Sequence, residues 1–137
     1  MLTLQRPVKD NLGQILVGKL FSVRTQIHVF HLQTTGKGSF AQHKALDDFY
    51  NEILEFADSF AEIIQGKTQQ IITDYKIESV INYTGVDQVL KYLADLNVFI
   101  QAYRVKLPKP SWDNIDNKCQ EVIDLIEQTS YKLKFLS

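Results

Sequence analysis

The sequence predicts an all-α protein, a four-helix bundle with one long crossover between the second and third helices. Apolar residues recur at steps of three and four along four stretches of the chain, which is typical of amphipathic helices. Short glycine- or proline-containing segments separate the outer pairs of helices, whereas residues 66–84 separate the middle two. A length of 137 residues with 45% apolar content favours a single domain over residues 1–137.

The first helix is expected to begin at about Asp10 and to continue to about Phe30. Pro7 marks its approach, because proline is tolerated only near a helix start. Its apolar positions are Leu12, Ile15, Leu16, Leu20, Val23, Ile27 and Phe30. Segment 34–38 contains two glycines suited to positive φ and therefore predicts a tight turn to the next helix.

The second helix is expected to start with a capping box formed by Ser39 and Gln42. It should run to about Gln65, with Gly66 as its C-terminal stop. Residues 66–84 are too long for a structureless loop in a compact domain. We expect them to cross the bundle from one end to the other and to contain a short helix.

A second capping box, Thr84 with Asp87, predicts the start of a third helix that ends at about Val105. Two prolines then break the pattern, and Ser111 is expected to cap a fourth helix that reaches almost to the C-terminus. Four such helices, with short connections at both ends and one long crossover in the middle, describe a ferritin-like bundle.

Charge and cysteine content exclude several classes. A net charge of −1 gives no general reason to bind nucleic acid, and the N-terminus carries only Arg6 and Lys9. The single Cys119 cannot form an internal disulfide. Because no apolar run approaches the roughly 20 residues that span a bilayer, and the start lacks a signal peptide's apolar region, we expect a cytoplasmic protein without a membrane partner.

Five residues form a candidate metal site: His31, His43, Asp47, Asp58 and Glu62. Since each helical residue turns about 100°, the last four project within an arc of about 100° on the second helix. His31 lies across the glycine-containing turn. Imidazole and carboxylate ligands together suit Fe(II), Mn(II) or Zn(II), and iron is the natural choice for oxidation chemistry.

These ligands cannot meet within one chain. Asp47 and Asp58 are about 16 Å apart along the helix axis, which is too far for ligands of one metal. His43 with Asp47 therefore forms one half-site, which His31 can complete, and Asp58 with Glu62 forms the other. The halves meet only if a second copy of the helix lies antiparallel to the first, as in a two-fold dimer.

Spacing alone leaves a plainer interpretation open. Polar residues at i,i+4 usually face solvent, and Asp47 beside Asp48 is compatible with an ordinary acidic surface. The site is favoured because apolar residues border the polar stripe, namely Phe40, Phe49, Phe56, Phe60 and Ala61. We interpret His28 as an ordinary helix residue and not as a ligand. Asp48, Glu52 and Glu55 are interpreted as an outer face or a route for cations.

At these residues the sequence resembles the Dps family, the mini-ferritins. Their motif combines a histidine, a glycine-containing turn with a phenylalanine, a second histidine, an aspartate, and a later Asp-x-x-x-Glu that contains an alanine. Here it reads His31, Gly36, Phe40, His43, Asp47, Asp58, Ala61 and Glu62. The ligand spacings of twelve, four, eleven and four match those of the family's ferroxidase centre.

The resemblance implies a dodecameric hollow shell whose iron centres are shared across two-fold interfaces. His31, His43 and Asp47 would come from one subunit, and Asp58 and Glu62 from its partner. Such a protein oxidises Fe(II), usually with hydrogen peroxide, and stores the product as a ferric mineral.

Two departures from the family limit this expectation. The family commonly has a tryptophan after the first histidine, where this chain has Leu32, which puts radical quenching in doubt. The chain also lacks a lysine-rich N-terminal tail, so no DNA binding is expected. Short ferritin-like bundles also resemble components of larger assemblies, including phage particles. The alternative function is therefore a non-catalytic assembly protein with a vestigial or structural metal site.

Overall fold

The computed structural model describes residues 11–137, which contain four α-helices and no strand. The helices are α1 (Leu12–Gln33), α2 (Ser39–Thr68), α3 (Val86–Val105) and α4 (Asp113–Phe135). The predicted all-α class with four helices is confirmed. The predicted helix start at Asp10 and the role given to Pro7 lie outside the described residues.

The contacts between helices fix their relative directions. Lys67 near the end of α2 donates to the Ser111 carbonyl oxygen at 2.9 Å, before the start of α4, so these two helices are antiparallel. Arg104 near the end of α3 forms an ion pair of 2.7 Å with Asp116 in the first turn of α4. The Tyr103 hydroxyl donates to the Leu12 carbonyl oxygen at 2.9 Å, which places the end of α3 beside the start of α1.

The core is formed by apolar side chains from all four helices. Its largest fully buried members include Phe30, Phe49, Phe60, Leu93 and Ile115. Burying a side chain of this kind stabilises the fold by about 2 kcal/mol, and none of these residues is available to bind a ligand. Cys119 is a free thiol in this core, and burial raises its pKa to about 12.

The connection between α2 and α3 does not contain the predicted short helix. From residue 71 to residue 85 it has no regular secondary structure, and it lies along α1. The Gln26 amide donates to the Ile81 carbonyl oxygen at 2.9 Å and accepts from the Ile81 N–H at 2.8 Å. The Ser22 hydroxyl accepts from the Glu78 N–H at 2.9 Å. Because side chains of α1 satisfy its backbone groups, this segment needs no helix of its own.

The path of this connection follows α1 from start to end, so it does cross the bundle as expected. Gln14 bonds to the Asp74 carbonyl oxygen near the start of α1, and the Gln33 side chain accepts from the Tyr83 N–H at 2.8 Å at its end. Gly18 permits the close approach, since a Cβ there would lie 3.1 Å from the Lys76 carbonyl oxygen.

The helix α2 begins at Ser39 as predicted, but the predicted capping box and the predicted C-terminal end are wrong. Gly38, with a φ of 80°, is the N-cap, and no side chain caps this end. Gln42, expected in the capping box, instead accepts from the Tyr83 hydroxyl at 2.5 Å. The helix passes Gly66 and ends at Thr68, because Gln69 adopts the left-handed conformation and its N–H bonds to the Gln65 carbonyl oxygen.

The predicted side-chain caps of the last two helices are also wrong. Gly85 is the N-cap of α3, and the Thr84 N–H donates to the Gln88 side chain at 2.7 Å, so the reciprocal partner is not Asp87. Trp112, not Ser111, is the N-cap of α4, and its side chain makes no capping bond. The expected end of α3 at Val105 is confirmed.

Candidate metal centre

The end of α1 and the first turns of α2 are joined by two histidines. His31 Nδ1 lies 2.7 Å from the His43 carbonyl oxygen, and His43 Nδ1 lies 2.9 Å from the His31 carbonyl oxygen. The two rings are stacked, with centroids 3.6 Å apart and an angle of 23° between their planes. The turn at residues 34–38, with positive φ at Gly36 and Gly38, reverses the chain and brings the two residues together.

These hydrogen bonds define the chemistry of both rings. A carbonyl oxygen only accepts, so Nδ1 of each neutral ring must carry the proton. Nε2 of each ring is then left with a free lone pair, which is the form that binds a metal ion. Metal-bound histidines characteristically donate their other ring N–H to a carbonyl or a carboxylate. His31 and His43 have this arrangement.

Asp47 lies one turn after His43 and is half-buried. The Asn51 amide donates to the Asp47 carbonyl oxygen at 2.9 Å and lies 3.4 Å from its carboxylate. Asp47 also acts on the neighbouring Tyr50, whose pKa is raised by burial first and then by a hydrogen bond to this carboxylate. Asp47, the third expected ligand of this half, is thus engaged by Asn51 and Tyr50 of its own helix.

His28 extends the cluster by one turn of α1. Its ring stacks on Tyr50 with centroids 4.3 Å apart, and lies 5.9 Å from the His31 ring. Burial, Arg24 and His31 lower the pKa of His28, in that order, whereas Asp47 opposes them. The Arg24 guanidinium lies over the Tyr50 ring, 5.7 Å from its centroid. His28 is therefore packed beside the histidine pair, in surroundings that disfavour its protonation.

Asp58 and Glu62 lie further along α2 and are exposed. Neither forms a salt bridge or a side-chain hydrogen bond with another residue in the described range 11–137. They lie within the same arc of about 100° on α2 as His43 and Asp47, which are half-buried.

The structure brings His31 and His43 together but does not collect the five predicted ligands in one place. Between residues 11 and 137, no group of three or more histidine, cysteine, aspartate or glutamate side chains is arranged to hold a metal ion. His31, His43 and Asp47, the three ligands expected from one chain, are therefore not arranged as such a group within the described residues.

Sequence reasoning missed Tyr50, Arg24 and the packing role of His28. Two signals were available. Arg24 and His28 are four residues apart on α1, and Tyr50 follows His43 by seven residues, so they fall on the facing sides of the two antiparallel helices. A tyrosine among apolar residues nevertheless gives no indication of which ring it will stack against.

The fold and this cluster define an all-helical protein with a preformed histidine pair at the junction of its first two helices. A model of a family of unknown function, DUF5856, matches residues 31–133, and the chain belongs to that family. The match begins at His31 and includes all five candidate ligands. Comparison with curated proteins and with solved structures finds nothing that matches.

Proposed function

We propose that this protein is a ferritin-like, Dps-like iron protein that oxidises Fe(II) at a centre shared by two copies of the chain. His31, His43 and Asp47 of one copy and Asp58 and Glu62 of the other would bind the iron. The proposal includes assembly into a closed shell of two-fold dimers and storage of the ferric product, both of which rest on the resemblance to the Dps family.

The observation that carries this proposal is the reciprocal bonding of His31 and His43. It leaves Nε2 of each ring unprotonated and sets the tautomer of both rings. Preorganised ligands lower the cost of binding, because the rings need not be ordered when the metal arrives. Unlike a surface histidine that rotates freely, each ring is held by a hydrogen bond and by stacking.

The two half-sites on α2 are also spaced for two-fold symmetry. When two copies of a helix pack antiparallel about a dyad, residues at equal distances from a common midpoint face each other. The midpoint of residues 43 and 62 coincides with the midpoint of residues 47 and 58, between residues 52 and 53. One dyad therefore sets His43 against the partner's Glu62 and Asp47 against the partner's Asp58. The midpoints coincide because both pairs have the same i,i+4 spacing, and this equal spacing lets a single dyad join both pairs.

The chemistry requires two iron ions for each peroxide. Each Fe(II) loses one electron to become Fe(III), and hydrogen peroxide accepts both electrons and two protons to give two molecules of water. Carboxylates of Asp47, Asp58 and Glu62 suit the harder Fe(III) product, and the two imidazoles suit Fe(II). Because this reaction consumes hydrogen peroxide, it would protect against damage by peroxide.

The proposal is tested by measuring Fe(II) oxidation with hydrogen peroxide in the purified protein. His31→Ala and Asp58→Ala should each slow the reaction more than tenfold relative to the native chain, since each removes a ligand. The matched control is Glu52→Ala, an exposed carboxylate on α2 about 120° from Asp58 around the axis. Equal rates in all four proteins, together with no bound iron, would contradict the proposal.

A second function is favoured by one observation. The histidine pair also ties the end of α1 to the start of α2 without any metal, through two hydrogen bonds and ring stacking. In an assembly protein this tie would serve stability alone, and the metal site would be vestigial or structural. The two functions differ in the iron assay above: a structural tie predicts a folded dimer or larger assembly that does not accelerate Fe(II) oxidation.

A further inference from the structure

One end of the bundle has an unusual surface, formed by the turn at residues 34–38 and the last turn of α4. A Cβ added at Gly38 would lie 3.0 Å from the carbonyl carbon of Ser137, so the two segments are in contact. The crossover also reaches this end, where the Gln33 side chain accepts from the Tyr83 N–H at 2.8 Å. We call this surface the α4 end.

The α4 end is basic although the whole chain is nearly neutral. The segments that meet at this end or adjoin it, residues 29–46, 79–86 and 128–137, contain no aspartate or glutamate. Lys37, Lys132 and Lys134 are exposed, and none of them forms an ion pair within the described residues. Lys44 is the exception, since it pairs with Asp48. Three lysines without an ion pair thus lie at this end of the bundle.

The same surface exposes large apolar side chains among its lysines. Tyr131 is 56% exposed, Phe135 is 68% exposed, and their ring centroids are 5.6 Å apart. Leu136 is 58% exposed. Leu133 lies on the opposite side of the same helix and is buried in the core, so the aromatic pair is not needed for packing the bundle. The last turns of α4 therefore have one apolar side in the core and a second apolar side, formed by Tyr131 and Phe135, that is exposed.

We propose that the α4 end binds the surface of a membrane that carries anionic headgroups. Lysines are attracted to anionic lipid, and aromatic side chains such as Tyr131 and Phe135 favour the interface between headgroups and acyl chains. No helix in residues 11–137 is both long and apolar enough to cross a membrane, so the contact is one of attachment to the surface. This proposal differs from the expectation, made from composition, that the protein has no membrane partner.

An anionic membrane fits the α4 end better than two other partners do, a second copy of the chain and a nucleic acid. A second copy docking through the same end would place like charges opposite each other, which is unfavourable. A nucleic acid would satisfy the lysines, and its bases would stack on the rings, but it would gain nothing from Leu136. An anionic membrane matches the lysines, the aromatic pair and the leucine together.

The test is co-flotation of the full chain with vesicles of phosphatidylcholine alone and of phosphatidylcholine with about one third phosphatidylserine. Binding is expected only to the anionic vesicles. Lys132→Gln with Lys134→Gln should weaken it about 25-fold, because each lysine contributes about fivefold near such a surface. Phe135→Ser should weaken it without changing the charge.

The matched control is Lys76→Gln with Lys106→Gln, two exposed lysines away from this end that also lack ion pairs within the described residues. This variant should bind like the native chain. All of these substitutions are at exposed positions, and circular dichroism checks that helix content is kept. Equal binding to both vesicles, an equal loss in the control variant, or tight binding to single-stranded DNA with none to vesicles would overturn the proposal.

Discussion

The two halves of α2 carry similar ligand types but differ in how much their own chain supports them. In the first half, His43 is bonded to the His31 carbonyl oxygen and Asp47 is engaged by Asn51. In the second half, Asp58 and Glu62 are exposed and bond to no other side chain within residues 11–137. One half is thus preorganised by the fold, and the other is free to engage a second molecule.

The difference follows from what α1 places opposite each half. Beside the first half, α1 ends with His31 and its free carbonyl groups, which can accept hydrogen bonds. Beside the second half, α1 presents Gly13, where an added Cβ would lie 3.0 Å from Ile64. Glu62 lies about 160° from Ile64 around the axis of α2, so α1 places no polar partner beside it and it is exposed.

The largest expected effect is a difference in the free energy of unfolding between a substitution in the first half-site and one in the second. His31→Ala removes both a ring donor and the ring that stacks on His43, and should lower the free energy of unfolding by about 2 kcal/mol. Glu62→Ala should change it by less than about 0.5 kcal/mol, as is usual for an exposed residue without partners. Urea unfolding of the two variants checks this, and both should lose Fe(II) oxidation. Equal stability losses would mean that the two halves do not differ in the way described.

A second expected effect locates the dyad. If the half-sites meet, Asn51 lies next to the two-fold axis, with the two copies of α2 about 8 to 10 Å apart. Asn51→Cys should then be joined to its partner in high yield by a short bis-maleimide. Cys119 is buried and will not compete.

Glu52→Cys is the matched control for cross-linking. Residue 52 points about 100° away from residue 51 around the axis of α2. It faces the groove that Glu52 lines with Lys118 and Glu121 of α4. It should give little dimer. Efficient cross-linking at residue 51 in a protein that does not oxidise iron would favour the assembly function, whereas equal yields at both positions would place the dyad elsewhere.

The four helices were predictable because their apolar periodicity is set within each segment. Their caps were not, since Ser39 and Thr84 have the right chemistry but the chain turns at Gly38 and Gly85 instead, where positive φ decides the boundary. The extended path of the crossover was also hidden. It depends on Gln14, Ser22, Gln26 and Gln33 of a helix far away in sequence.

Some features of the candidate site could also be predicted from the sequence, and others could not. The positions of His31 and His43 across the turn followed from spacing, and so did the shared arc of the four residues on α2. The reciprocal bonds to backbone carbonyl groups did not, because they depend on the angle at which the turn sets the two helices. Stacking of His28 on Tyr50 likewise requires the packed helices and cannot be inferred from either segment alone.

The most direct test of the shared centre is to mix two inactive variants, His43→Ala and Glu62→Ala, under conditions that allow subunits to exchange. A mixed dimer contains one centre without either defect, so random exchange should restore about a quarter of the native Fe(II) oxidation rate. Recovery near that level would support a centre built from two chains. No recovery, with exchange verified by mass spectrometry of the mixed dimers, would contradict it.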